Sequence, residues 1–127
     1  MKKILFLLML GAIGFNMSAT AQKAINSVHF YDVKNAAMEK TYIASLKEIN
    51  AIMAEIGFPK NYYSYFKLDA ADTTKTYRNC TIGHWNSEED YKAIHDHPKF
   101  KAWATKNKGN NAIFISSQLY RKFYAAD

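Results

Sequence analysis

Between residues 38 and 56 the apolar side chains fall on one stripe: Met38, Tyr42, Leu46, Ile49, Met53 and Ile56 recur at three- and four-residue steps, the spacing of one helix face. Asn35 stands before the stripe as a capping residue, and Gly57 and Pro59 stop it. Residues 24–34 precede it with Val28, Phe30 and Tyr31 and a partial alternation through Ser27 and His29, which predicts a strand. Residues 62–68 and 77–85 read as two further strands around a polar turn over 69–74, a hairpin. Asn86 or Ser87 caps a second helix, and Ser87 with Asp90 resembles a capping box with Asp in place of the usual Glu or Gln. Pro98 lacks an amide donor and disfavours helical geometry at His97, so this helix breaks there. A second helical piece runs through Phe100 and Trp103 and ends near Gly109, and a last strand covers 113–124.

The predicted order is strand, helix, strand, strand, helix, strand. It fits an α+β, ferredoxin-like βαββαβ arrangement, one antiparallel sheet with two helices on one face. Several strands carry apolar or aromatic residues at both parities, so the second sheet face is expected to be covered by another subunit.

The first residues change the picture of where the domain begins. Lys2 and Lys3 precede an apolar run over 4–15, and Ala19-Thr20-Ala21 forms the small-x-small pattern of a signal-peptidase site. Residues 1–21 are therefore expected to be a cleavable signal peptide, residues 22–127 a single domain, and the protein exported to the periplasm or the extracellular space, with no membrane attachment after cleavage. Cleavage leaves 127 − 21 = 106 residues, near the lower limit for a comfortable core. It also removes two of 17 basic residues, so 15 against 11 acids leave about +4. The lysines are dispersed among acids, which argues against nucleic-acid binding. Cys80 is the single cysteine, so no internal disulfide is available, and in an apolar strand it reads as a small hydrophobe.

The segment Thr81-Ile82-Gly83-His84-Trp85-Asn86-Ser87-Glu88-Glu89-Asp90-Tyr91, with His97-Pro98-Lys99-Phe100, resembles the dimeric α+β barrel superfamily, including its small antibiotic-biosynthesis-type monooxygenases and stress-responsive proteins. The resemblance in element order extends over residues 24–124. It implies a homodimer whose two sheets pack into a barrel, with a pocket between sheet and helices in each subunit. Within that superfamily the haem-degrading branch fits poorly: alignment on Trp85 and Phe100 puts its helix Trp and proximal His at Ile94 and Ala104, and Asn26 matches its strand Asn only approximately. Fold-level likeness does not choose among the activities.

Candidate chemistry rests on four histidines and the aromatic residues. His29 and His84 lie on strands expected to be adjacent, where they could meet on one face as catalytic general bases. His95 and His97 form a His-x-His pair and are weak candidates for a metal or haem iron, because a regular helix points the two rings apart. Tyr65, Trp85 and Trp103 are candidates to line a pocket for a planar ligand, with Arg78 fixing its polar end. No glycine-rich phosphate loop, Gly-x-Ser-x-Gly elbow or paired-cysteine site is present. The expectation is a homodimer that binds a small apolar or aromatic molecule, as a cofactor-independent monooxygenase or isomerase or as a binder without turnover. The alternatives are a haem- or metal-binding protein and a purely structural dimer.

Overall fold

The computed structural model describes residues 22–109 and 118–126. The expected signal peptide and the first residues of the expected last strand lie outside them. The elements run β1 (Ile25–Tyr31), α1 (Ala36–Glu55), β2 (Tyr62–Lys67), β3 (Asn79–Trp85), α2 (Glu88–Asp96), α3 (Pro98–Lys106) and β4 (Leu119–Tyr124). The sheet has the order β2-β3-β1-β4, and all three neighbouring pairs are antiparallel. This is the ferredoxin-like topology, with the second helix divided at Pro98.

Local chemistry fixes the boundaries. The Asn35 side chain accepts the Met38 N–H at 2.9 Å and starts α1. At the other end Gly57 adopts φ 96°, and its N–H donates to the Ala54 carbonyl at 3.2 Å while Phe58 donates to Met53 at 2.8 Å, a Schellman ending. Ser87 caps α2 through Asp90 N–H at 3.0 Å. The His97 ring nitrogen Nδ1 accepts the Lys99 N–H at 3.1 Å, so the residue that ends α2 also begins α3, with Pro98 at its first position. The third strand starts later than its sequence suggests, because Asp32 accepts the N–H groups of Tyr77 and Arg78 at 3.0 and 2.9 Å and holds Tyr77 at φ 56° outside the ladder.

The cross-strand register sorts the side chains into two faces. Ile25, Ser27, His29 and Tyr31 face the helices, in line with Trp85, Gly83, Thr81 and Asn79. One core cluster on this side gathers Ile25, Trp85 and Ile94 with Ile49 and Met53 of α1 and Phe100 and Trp103 of α3. A second holds Tyr31, Tyr42 and Leu46, where both phenols meet the Thr81 hydroxyl, at 2.5 Å from Tyr31 and 2.9 Å from Tyr42. The opposite face presents Val28, Phe30, Ile82, Cys80 and His84 between exposed Tyr62, Phe66 and Phe123. No described helix lies on it. Cys80, read as a buried hydrophobe, is half-buried there, and burial pushes its thiol up.

The barrel implied by the family resemblance is not found. The sheet is open, with β2 and β4 at opposite edges and β3 and β1 between them. Its two edge strands lie at opposite sides and do not pair with each other, so the sheet does not close on itself. What stands is a ferredoxin-like α+β domain with an open sheet.

Gly83 is required by close approach. A Cβ there would lie 2.6 Å from Ser27 Oγ, 2.7 Å from Trp85 Cζ2 and 2.9 Å from Tyr63 Cε1. Gly83→Ala is expected to destabilise the domain by about 1–3 kcal/mol through overpacking. Urea denaturation checks this, and a variant as stable as the parent would show that the niche relaxes freely.

Candidate functional site

Trp85 organises the helix-side face near the start of β1. It is 2% exposed, and its indole N–H donates to Ser27 Oγ at 2.9 Å. Tyr63, Tyr91 and His95 surround the indole with ring centroids 5.3, 5.1 and 5.0 Å away. Tyr91 and His95 are one helical turn apart on α2, and their rings lie 4.0 Å apart, with His95 also 4.4 Å from Phe100. From the sheet, β4 brings Tyr120 beside His29 at 4.8 Å and places the Lys122 ammonium 4.2 Å from the Tyr91 ring centroid. Two imidazoles, two half-open phenols and one ammonium therefore gather between β1, β4 and α2.

His95 Nδ1 lies 2.6 Å from the Tyr91 carbonyl, which only accepts, so Nδ1 carries the proton and Nε2 is the basic nitrogen. His29 Nδ1 contacts the Gln118 side-chain amide. Burial pulls both pKa values below 6.5, the Gln118 contact opposes this at His29, and at His95 the Tyr91 carbonyl opposes it while the Lys122 charge adds to it. The charge of each imidazole disfavours that of the other. Burial likewise raises the Tyr120 and Tyr63 phenols, and no hydrogen-bond partner meets the Tyr63 hydroxyl among the described residues.

The expected meeting of His29 with His84 does not occur. His84 pairs with Asn26 and His29 with Thr81, so the two rings lie on opposite faces. His84 sits on the open face, stacked on Tyr62 at 4.5 Å, with Nε2 3.1 Å from Ser64 Oγ. His95 and His97 are also kept apart in role, His95 against Trp85 and His97 as the cap of α3. No group of three or more His, Cys, Asp or Glu side chains suited to a metal is found among the described residues.

The four ligand-binding candidates are scattered. Trp85 is the floor of the imidazole cluster. Trp103 borders a recess of about 270 Å³ between α1 and α3, its indole N–H held by the Ser45 carbonyl at 3.0 Å. Tyr65 lines a recess of about 640 Å³ between α1 and β2, its hydroxyl donating to Glu39 at 2.7 Å. Arg78 turns its guanidinium back onto the carbonyls of Asp69, Asp72 and Thr74, where it braces the loop before β3. Tyr91, His95, Tyr120 and Lys122 are site residues that the sequence reading did not place here. The i, i+4 spacing of Tyr91 and His95 gave a usable signal for the pair on α2, and nothing local gave one for the two on β4.

Comparison with family profiles and with curated proteins finds no match. Among solved structures, the chain is similar to a dimeric ferredoxin-like protein of unknown function from Thermobifida fusca, with a TM-score of 0.55 at 15% identity over 82% of this chain and 92% of that one. It is similar to the hydroxynitrile lyase of Passiflora edulis, with a TM-score of 0.56 at 12% identity over 84% of this chain and 96% of that one. It is also similar to SnoaB, a cofactor-independent oxygenase from Streptomyces nogalater, at 0.50 and 14% identity over 82% and 92%. At these identities the likeness shows a shared fold.

Both imidazoles have pKa values lowered from 6.5, so in that range the unfolded chain binds more protons than the folded one. Stability from this source is complete above about pH 6.5 and is lost as pH falls toward the lowered values. Urea midpoints measured across that window should drop on acidification, and the slope should shrink in His95→Phe. An unchanged slope would mean that His95 ionises as freely in the fold as in the unfolded chain.

Proposed function

We propose that the protein binds a small, largely apolar or aromatic carbonyl compound at the imidazole cluster and moves a proton on it without a cofactor. The observation that carries this reading is the gathering of two half-buried imidazoles beside buried aromatic rings. His95 Nε2 takes the proton from a carbon made acidic by a neighbouring carbonyl, and the His29 ring donates a hydrogen bond to the carbonyl oxygen as the enolate forms. The ligand's planar body lies against Tyr91 and Tyr120, half-open aromatic surfaces suited to such a partner. Return of the proton to another carbon would make an isomerase; reaction of the enolate with oxygen would make a cofactor-independent monooxygenase. The oxygenase and the lyase among the structural neighbours support a fold compatible with either.

The test is hydrogen–deuterium exchange at the α-carbons of phenylacetone, followed by proton NMR, with the Trp85 indole N–H as binding reporter and the Trp103 indole N–H as reference. His95→Ala and His29→Ala should slow protein-catalysed exchange by about 10²-fold or more, while His84→Ala leaves it unchanged. Binding at Trp85 with no catalysed exchange would reduce the protein to a binder, and loss of exchange in His84→Ala alone would move the site to the other face.

We further propose that the protein is exported after cleavage at Ala21 and forms a homodimer through the open sheet face. Exposed Tyr62, Phe66 and Phe123 on that face support the dimer, since contiguous apolar surface of this kind marks an interface. Protein recovered from the periplasmic fraction should begin at Gln22 and sediment as a dimer that Phe66→Lys weakens. An intact N-terminus, or a monomer at micromolar concentration, would overturn the corresponding half of the proposal.

A further inference from the structure

The edge of the sheet at β2 is only half closed. Asn50 of α1 treats Tyr63 as a neighbouring strand would: its Oδ1 accepts the Tyr63 N–H at 2.7 Å and its Nδ2 donates to the Tyr63 carbonyl at 2.9 Å. These two bonds show that the backbone of Tyr63 points away from β3. By strand alternation the backbone groups of Tyr65 and Lys67 point the same way. Nothing among the described residues takes the place of Asn50 at those two positions, so two N–H and two C=O groups face outward in a row.

Beside this open stretch lies the 640 Å³ recess, bounded on its far side by α1. Lys40, Ile43, Ala44 and Lys47 follow one another on that helix at i, i+3, i+4 and i+7, so a pair of small apolar side chains is flanked by two ammonium groups about 10 Å apart along the axis. Lys40 and Lys47 have no ion-pair partner among the described residues, whereas Glu39, the recess's single acid, is already held by Lys67 at 2.6 Å and by the Tyr65 hydroxyl. The free charge of the recess is therefore positive.

We propose that β2 is a docking edge for an extended acidic peptide of another protein, which adds as a fifth strand beside Tyr65 and Lys67. Its backbone completes the ladder that Asn50 closes at Tyr63. Its side chains on the helix side alternate acidic, apolar, acidic, with the apolar one over Ile43 and Ala44 and the carboxylates at Lys40 and Lys47. Main-chain bonds supply affinity, and the two lysines select the sequence. Asn50 sets one end of the added strand, which limits it to a few residues.

The test is fluorescence anisotropy with a labelled seven-residue peptide of threonines carrying Glu, Val and Glu at its second, fourth and sixth positions. It should bind the folded protein, and Lys40→Glu with Lys47→Glu should weaken it by about tenfold or more. Lys92→Glu with Lys108→Glu, both exposed and outside the recess, makes the same change in charge and should leave binding near the parent value. Lys67→Pro removes an outward N–H without touching the β3 pairing and should weaken binding similarly, with the fold checked by circular dichroism. N-methylation of one alternate set of peptide amides should abolish binding, and methylation of the other set should spare it. Equal binding by both methylated peptides would reduce the effect to anion attraction and overturn the proposal. So would undetectable binding at millimolar peptide, or a dimer that Lys67→Pro dissolves, since the edge would then belong to a second copy of this chain.

Discussion

The structure depends on how the Trp85 indole is seated. It lies where β1, β3 and α2 meet, and it fits because Gly83 two residues earlier has no side chain and Ser27 opposite has a small one that accepts the indole N–H. Burial of so large a ring with its one polar group satisfied joins sheet to helix without an unpaired donor. Tyr63 brings β2 to the same ring, and Tyr91 and His95 bring α2. Core and candidate site therefore share one residue, with the buried side of the indole in the first and its aromatic neighbours leading to the second.

The chemistry of the site follows from this sharing. His95 is half-buried because it packs against Trp85 and Phe100, and that packing both lowers its affinity for a proton and presents its Nδ1 to the carbonyl of the preceding turn. His29 reaches the same region from the centre of the sheet, with the Gln118 amide against its Nδ1. Lys122 adds a positive charge over the Tyr91 ring, with Glu88 at 3.8 Å as a distant counter-ion. Two imidazoles of lowered proton affinity beside a cation suit a reaction that builds negative charge on an oxygen.

Much of the architecture was legible in the sequence, because its signals are local. The helical stripe after Asn35, the glycine ending at Gly57, the Ser87 cap and the break at Pro98 each act within one turn of chain, and all appear where the residues put them. What depends on pairing between strands was not legible. Nothing near His29 or His84 states which residue lies opposite, and a shift of one position exchanges the faces of a whole strand. Arg78 illustrates a second limit: its role is set by three loop carbonyls whose convergence no side-chain pattern encodes. The barrel failed for a third reason, since likeness in element order does not state whether the edge strands β2 and β4 meet.

The hydroxyl contacts at the other end of the sheet have a different character. Tyr31, Thr81 and Tyr42 each meet the other two, so their three hydroxyls form a closed ring in which each can donate once and accept once. Such a ring can circulate its protons in either sense with the heavy atoms unmoved, and each bond polarises the next. Burial raises both phenols, Tyr31 well above its ordinary range, so the ring stays uncharged wherever the neighbouring imidazoles titrate. The domain thus separates two kinds of polar chemistry on one sheet face: a cyclic, charge-neutral fastening that holds α1 without regard to acidity, and a few ångströms along β1 from Tyr31 to His29, a group whose state acidity decides.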